Sequence, residues 1–211
     1  MKKGIDHLVV LVALCILSAV VAGQGRRAVG SHQGEWKTVT IDKVGIREVA
    51  LPPGMKLAET TDNKAKPEDK IPTDAFGMNW TVAVGRSVKE VNLSVTNWHA
   101  GFATVTEKPA DLATPENLVL TTHLQGLRAM RDKTSHTIES ELLEVDGVPG
   151  SYDVLNSPVD GLVVVWGTDR YFKGNAQQIM ISVSRFTKAE ALRVIRSVKF
   201  SPSDPVRRTG N

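Results

Sequence analysis

Few residues in this chain could do covalent or metal chemistry, and their spacing argues against most of it. The only cysteine, Cys15, lies inside an apolar run, so the rest of the chain offers no thiol for a nucleophile, a disulfide or a metal-thiolate site. A serine hydrolase of the elbow type needs its nucleophile on a tight strand-to-helix turn, and no Gly-x-Ser-x-Gly occurs. A zinc hydrolase needs imidazoles one helical turn apart with a carboxylate between, and His-Glu-x-x-His is absent too. Phosphate-cradling and calcium loops are likewise missing, and Gly23-x-Gly25-x-x-Ala28 mimics a dinucleotide fingerprint without a strand before it. His32 sits in a Gly-rich stretch and His123 beside a leucine stripe. His99 follows Trp98 at a strand end, and His136 opens another strand. The alternative of an enzyme therefore rests on His99, with His136 or nearby polar residues, as an acid–base group.

Aromatic residues make up only 5% of the chain, so their positions carry information. Trp80 and Trp166 alternate in register with aliphatics, which marks them as core. Trp98 falls on the polar side of its strand with Asn92, Ser94 and Thr96, and Tyr171 falls opposite Trp166, in line with Asp169. An aromatic on a polar sheet face is a binding anchor where the face is open and a packing residue where a helix covers it. The candidate binding residues are Trp98, Tyr171 and His99; no catalytic residue, metal ligand or cofactor is assigned. Arg170 shares the parity of Trp166 and is expected to snorkel outward at its strand end.

The N-terminus sets the compartment. Met1-Lys2-Lys3 is basic, Leu8 to Ala22 is an almost unbroken apolar run of 15 residues, and Ala22-Gly23-Gln24-Gly25 is small. That order is a secretory signal peptide of bacterial type over 1–23, since the run falls short of the roughly 20 residues a spanning helix needs. An uncleaved anchor is the alternative. The expectation is an exported protein, periplasmic or extracellular, with no stable membrane insertion after removal of the signal. The formal net charge is +3; the signal segment holds Lys2, Lys3 and Asp6, so the remainder is 3 − 1 = +2. So small an excess gives no field for nucleic acid. A partner, if there is one, is expected to be another exported or membrane protein.

These groups need elements to hold them. Residues 24–35 read as a flexible leader. Trp36 to Ile41 and Ile46 to Ala50 alternate as short strands, Pro52-Pro53-Gly54 is a turn, and the polar stretch 57–75, with Pro67 and Pro72, is expected to be a long loop. Val91-Asn92-Leu93-Ser94-Val95-Thr96 is the cleanest alternation in the chain. Thr114-Pro115-Glu116 opens a helix bearing Leu120, Leu124 and Leu127. Strands follow over 136–145, 151–155, 161–172 and 177–184, with Asp146-Gly147 a hairpin turn. Thr187-Lys188-Ala189-Glu190 is a capping box for a last helix with Leu192, Ile195 and Val198 on one side. The fold class expected is α+β: an antiparallel β-sheet with helices packed on it, in one domain over 36–201, followed by a disordered tail, 202–211.

Val145-Asp146-Gly147-Val148-Pro149-Gly150-Ser151-Tyr152, the strands Leu162 to Val183, the terminal Ile195-Arg196-Ser197-Val198-Lys199-Phe200 and, upstream, Leu51-Pro52-Pro53-Gly54-Met55 together resemble the PsbP-like family. The resemblance spans about 46–56 and 136–200. It implies an antiparallel α/β sandwich and a non-catalytic binding or accessory role, and it brings no functional residue with it.

Overall fold

The computed structural model describes residues 34–69, 73–98, 127, 130–133, 135–172 and 175–202, with backbone alone for 98, 171, 172, 175 and 176. The expected signal segment and most of the leader, the helix expected from Thr114 apart from Leu127, which is helical, and the tail beyond 202 lie outside it.

Strands dominate. The elements are β1 (Lys37–Lys43), β2 (Ile46–Leu51), β3 (Lys56–Asn63), β4 (Thr73–Val84), β5 (Ser87–Trp98), β6 (Thr137–Val145), β7 (Val148–Ser157), β8 (Gly161–Phe172), β9 (Asn175–Ser184), a helix α1 (Lys188–Arg196) and β10 (Lys199–Phe200). They form a three-stranded sheet in the order β1-β2-β10 and a seven-stranded sheet in the order β3-β4-β5-β9-β8-β7-β6. Every pairing in both is antiparallel. The expectation of helices packed on a sheet is thereby corrected: the molecule is largely a β-sandwich, in which the small sheet and the nine-residue α1 lie over one face of the large one. Part of the error was the stretch 57–75. It takes in all but the first residue of β3 and the start of β4, and all eight residues of β3 are exposed, so no buried face imposed the apolar alternation by which a strand is read. Its register comes from pairing with β4, Thr60 opposite Met78 and Asp62 opposite Phe76.

Turn chemistry fixes the hairpins. Asp146 and Gly147 both have positive φ, 51° and 77°, the two-residue turn that matches strand twist, and Val145 pairs with Val148 across it. At the β1–β2 turn the same geometry falls on Val44 (φ 50°) and Gly45 (φ 80°). A β-branched residue there is strained.

The inner face of the large sheet carries Trp80, Val91, Leu93, Val95, Val164, Trp166, Ile179, Ile181 and Val183, all buried. They pack with Ala191, Leu192, Val194 and Ile195 of α1 and with Ile46, Val49, Leu51 and Phe200 of the small sheet. Gly150 makes room for Trp166: a Cβ there would lie 2.6 Å from the indole Nε1. The capping box holds as expected, with Thr187 accepting from the Glu190 amide and Glu190 reaching back. At the other end Ser197 Oγ accepts from the Ala50 amide at 2.8 Å, which fastens the helix to β2.

Candidate binding face

Pairing places the second face of the large sheet in rows. Because directly opposed residues of antiparallel strands share a face, each row crosses several strands. At one end Thr73, Trp98, Ala176 and Tyr171 stand in a single row across β4, β5, β9 and β8. Trp98 and Tyr171 are thus two strand spacings apart, about 9.5 Å, with the small Ala176 between them. The next row on this face is Ala75, Thr96, Gln178 and Asp169. Then come Gly77, Ser94, Met180, Gly167 and Ser151, and then Asn79, Asn92, Ser182, Val165, Asp153 and Ser140.

Two features mark this face. Its positions on β4, β5, β9, β8 and β7 hold amides, hydroxyls, small residues, the aliphatics Val88, Val163, Val165, Leu155 and Met180, and the acids Glu90, Asp153 and Asp169, but no Lys or Arg. It therefore offers nothing to a polyanion. Asn79 Oδ1 is buried and finds no hydrogen-bond partner among the described residues. Above Gly167 there is room: an added Cβ would meet only the Ile179 carbonyl, at 3.5 Å. Burial pushes the Glu90 carboxyl above its ordinary value, reinforced by Asp160 and opposed by Arg185.

Of the residues singled out from sequence, the register brings Trp98 and Tyr171 into one row; their side chains, and His99 entirely, lie outside the described residues. His136 is exposed, and its carbonyl accepts from the Asn156 amide at 3.0 Å. Arg170 does not snorkel. It is 1% exposed and lies over the Phe200 ring at 5.1 Å, because the small sheet closes over that strand end. Among the described residues no three His, Cys, Asp or Glu side chains gather as metal ligands. No helix among them is long and apolar enough to cross a membrane.

A second cluster escaped the sequence reading. Tyr152, 4% exposed on β7, aims its hydroxyl at Glu139 Oε1 (2.7 Å) and Glu141 Oε2 (2.8 Å) on β6, while Lys188 Nζ from the first turn of α1 donates to Glu139 and lies 5.5 Å from the Tyr152 ring centre. One hydroxyl has one proton for two carboxylates, so Lys188 supplies the balance. The hydrogen bond from Lys188, then that from Tyr152, holds Glu139 below the usual carboxylate range. Burial, then the two glutamate contacts, drives the Tyr152 phenol far above its ordinary value. The cluster pins α1 to the sheet edge. The period-two Glu139-x-Glu141 beside a core tyrosine was the signal available in the sequence.

No protein-family model matches the chain, and no curated protein matches it. Among solved structures it is similar to the solution structure of cyanobacterial PsbP from Synechocystis sp. PCC 6803, with 15% identity, 84% of this chain and 98% of that chain covered, and a TM-score of 0.39. The likeness is one of distant fold alone.

Proposed function

We propose that the chain is an exported, non-catalytic binding module whose second sheet face, at the end marked by Trp98 and Tyr171, receives a partner protein of the same compartment. The observation that carries the reading is the row Trp98–Ala176–Tyr171: two aromatic positions flank a small one on a face that holds no Lys or Arg on β4, β5, β9, β8 or β7. Aromatic anchors contribute large contact area at low entropic cost, and binding energy concentrates in such residues. A face of amides and hydroxyls around them suits a neutral or cationic surface. Export rests on the segment 1–23.

The test is capture from the native extract by the full chain and by Trp98→Ala and Tyr171→Ala, each checked by thermal melting. The reading expects a saturably retained partner that both variants lose while melting within about 2 °C of the parent, the range of a minor surface change. Unfolding of Trp98→Ala, or equal retention by both variants, overturns it.

A further inference from the structure

We infer that the outer edge of β6 is a docking site for an extended basic segment of another polypeptide, which adds to the large sheet as an eighth strand. β6 closes the sheet on one side, and among the described residues no strand pairs with its far edge. A register shift between Thr137 and Glu139 disturbs its first residues only. From Glu139 to Val145 it pairs regularly with β7, which leaves seven residues, about 23 Å, of straight edge. Such an edge presents unpaired backbone donors and acceptors, the template used in strand addition.

The side chains select the occupant. Ile138 and Leu142 are each 56% exposed, large apolar residues at an edge where natural sheets place charge or proline. The strand also carries Glu139, Glu141 and Glu144 and no Lys or Arg. Lys188 neutralises Glu139. Glu141 shares the single Tyr152 proton, and among the described residues no cation forms an ion pair with it or with Glu144. Glu139 and Glu141 stand on the face of Tyr152, and Leu142 stands on the other. A strand that alternates Lys or Arg with Val, Ile or Leu sets its cations opposite the two glutamates and its aliphatics on the side of Leu142, the cross-strand pairs that stabilise a sheet. A second copy does not fit. Two β6 edges would bring three glutamates from each copy together, and the opposite edge, β3, offers Lys56 only with Glu59 and Asp62.

The probe is a fluorescein-labelled nine-residue peptide alternating Lys and Val, titrated into the full chain by anisotropy and followed by amide hydrogen exchange. Saturable binding that slows exchange over 139–145 and weakens with salt is expected. A peptide alternating Glu and Val, and a Lys-Val peptide with proline at two central positions, are expected not to bind. Leu142→Lys and, independently, Ile138→Lys each weaken binding roughly tenfold, through a lost apolar contact. Those side chains are exposed, and unchanged melting shows that the variants fold. Equal binding of the proline peptide, protection elsewhere than β6, or unaltered binding by both lysine variants at 138 and 142 overturns the proposal. So does sedimentation showing a dimer that Leu142→Lys dissociates, which assigns the edge to a second copy.

Discussion

Removing the charge of Glu139 tests whether its contact with Lys188 holds α1 to the sheet. Glu139→Gln keeps an acceptor for Tyr152 but loses the ion pair. Hydrogen bonds to charged groups contribute about 1.5–3 kcal/mol, and exposed ion pairs about 0.2–1 kcal/mol. The Glu139 and Lys188 side chains are 30% and 39% exposed, so solvent screens the pair and the lower end applies, a loss of about 1 kcal/mol at pH 7. The pH dependence follows from the sign of the shift. Glu139 has a lowered value in the folded chain, so its contribution is complete above the ordinary glutamate value of about 4.3 and disappears as pH falls through the lowered one. Urea unfolding followed by tryptophan fluorescence at pH 7, 5 and 3 is the assay. The parent should lose more stability than Glu139→Gln between pH 5 and 3, and the two curves should converge at the acid end. A difference of the same size at pH 7 and pH 3 would show that the variant acts through packing, and the charge argument fails.

The chain has two tyrosines, and Tyr152 is buried with its phenol held protonated; spectrophotometric titration should show a tyrosine component that ionises only on unfolding and that Tyr152→Phe removes. Tyr152→Phe also leaves Glu139 and Glu141 without their shared donor and should cost about 1–2 kcal/mol in urea. Gly150→Ala sets a methyl 2.6 Å from Trp166 Nε1 and from the Gly167 carbonyl, so a loss of about 1–3 kcal/mol is expected by thermal melting. Ser197→Ala removes the acceptor for the Ala50 amide and should cost about 1–2 kcal/mol, with faster exchange of that amide as its signature.

How much of this was legible depended on whether a residue has one dry side. Val91, Leu93 and Val95 alternate because only one face of β5 is buried, so the strand, its parity and the polar row beside it could all be read in advance. Asp146-Gly147 and Thr187 with Glu190 were legible because turn and cap chemistry is local. β3 was not, since neither of its faces is buried and its only instruction is the ladder to β4. For the same reason the balance of sheet to helix was misjudged. Arg170 failed differently: its parity was right, but its burial depends on Phe200 and the small sheet, some thirty residues on in sequence. In the Tyr152 cluster each residue was visible, while the contact of Lys188 with Glu139 needs α1 to lie across the sheet edge.

The formal charge misleads in a related way. Several cations lie over aromatic rings: Lys43 of β1 at 5.2 Å from Phe76, Lys89 of β5 at 4.6 Å from Phe186, Arg193 of α1 at 4.1 Å from Trp36. Among the described residues two cations are withdrawn from the surface, since Lys89 is 5% exposed and Arg170 is 1% exposed. On its five inner strands the second face has no basic residue, and β6 adds Glu141 and Glu144 at the edge. A chain that is basic by count therefore sets no described cation on the second face of its inner strands and two carboxylates at its β6 edge. Polyanions are poor candidates on that ground, and raising the salt concentration should weaken the contact at β6 far more than the one at the Trp98–Tyr171 row, because only the former sets charge against charge.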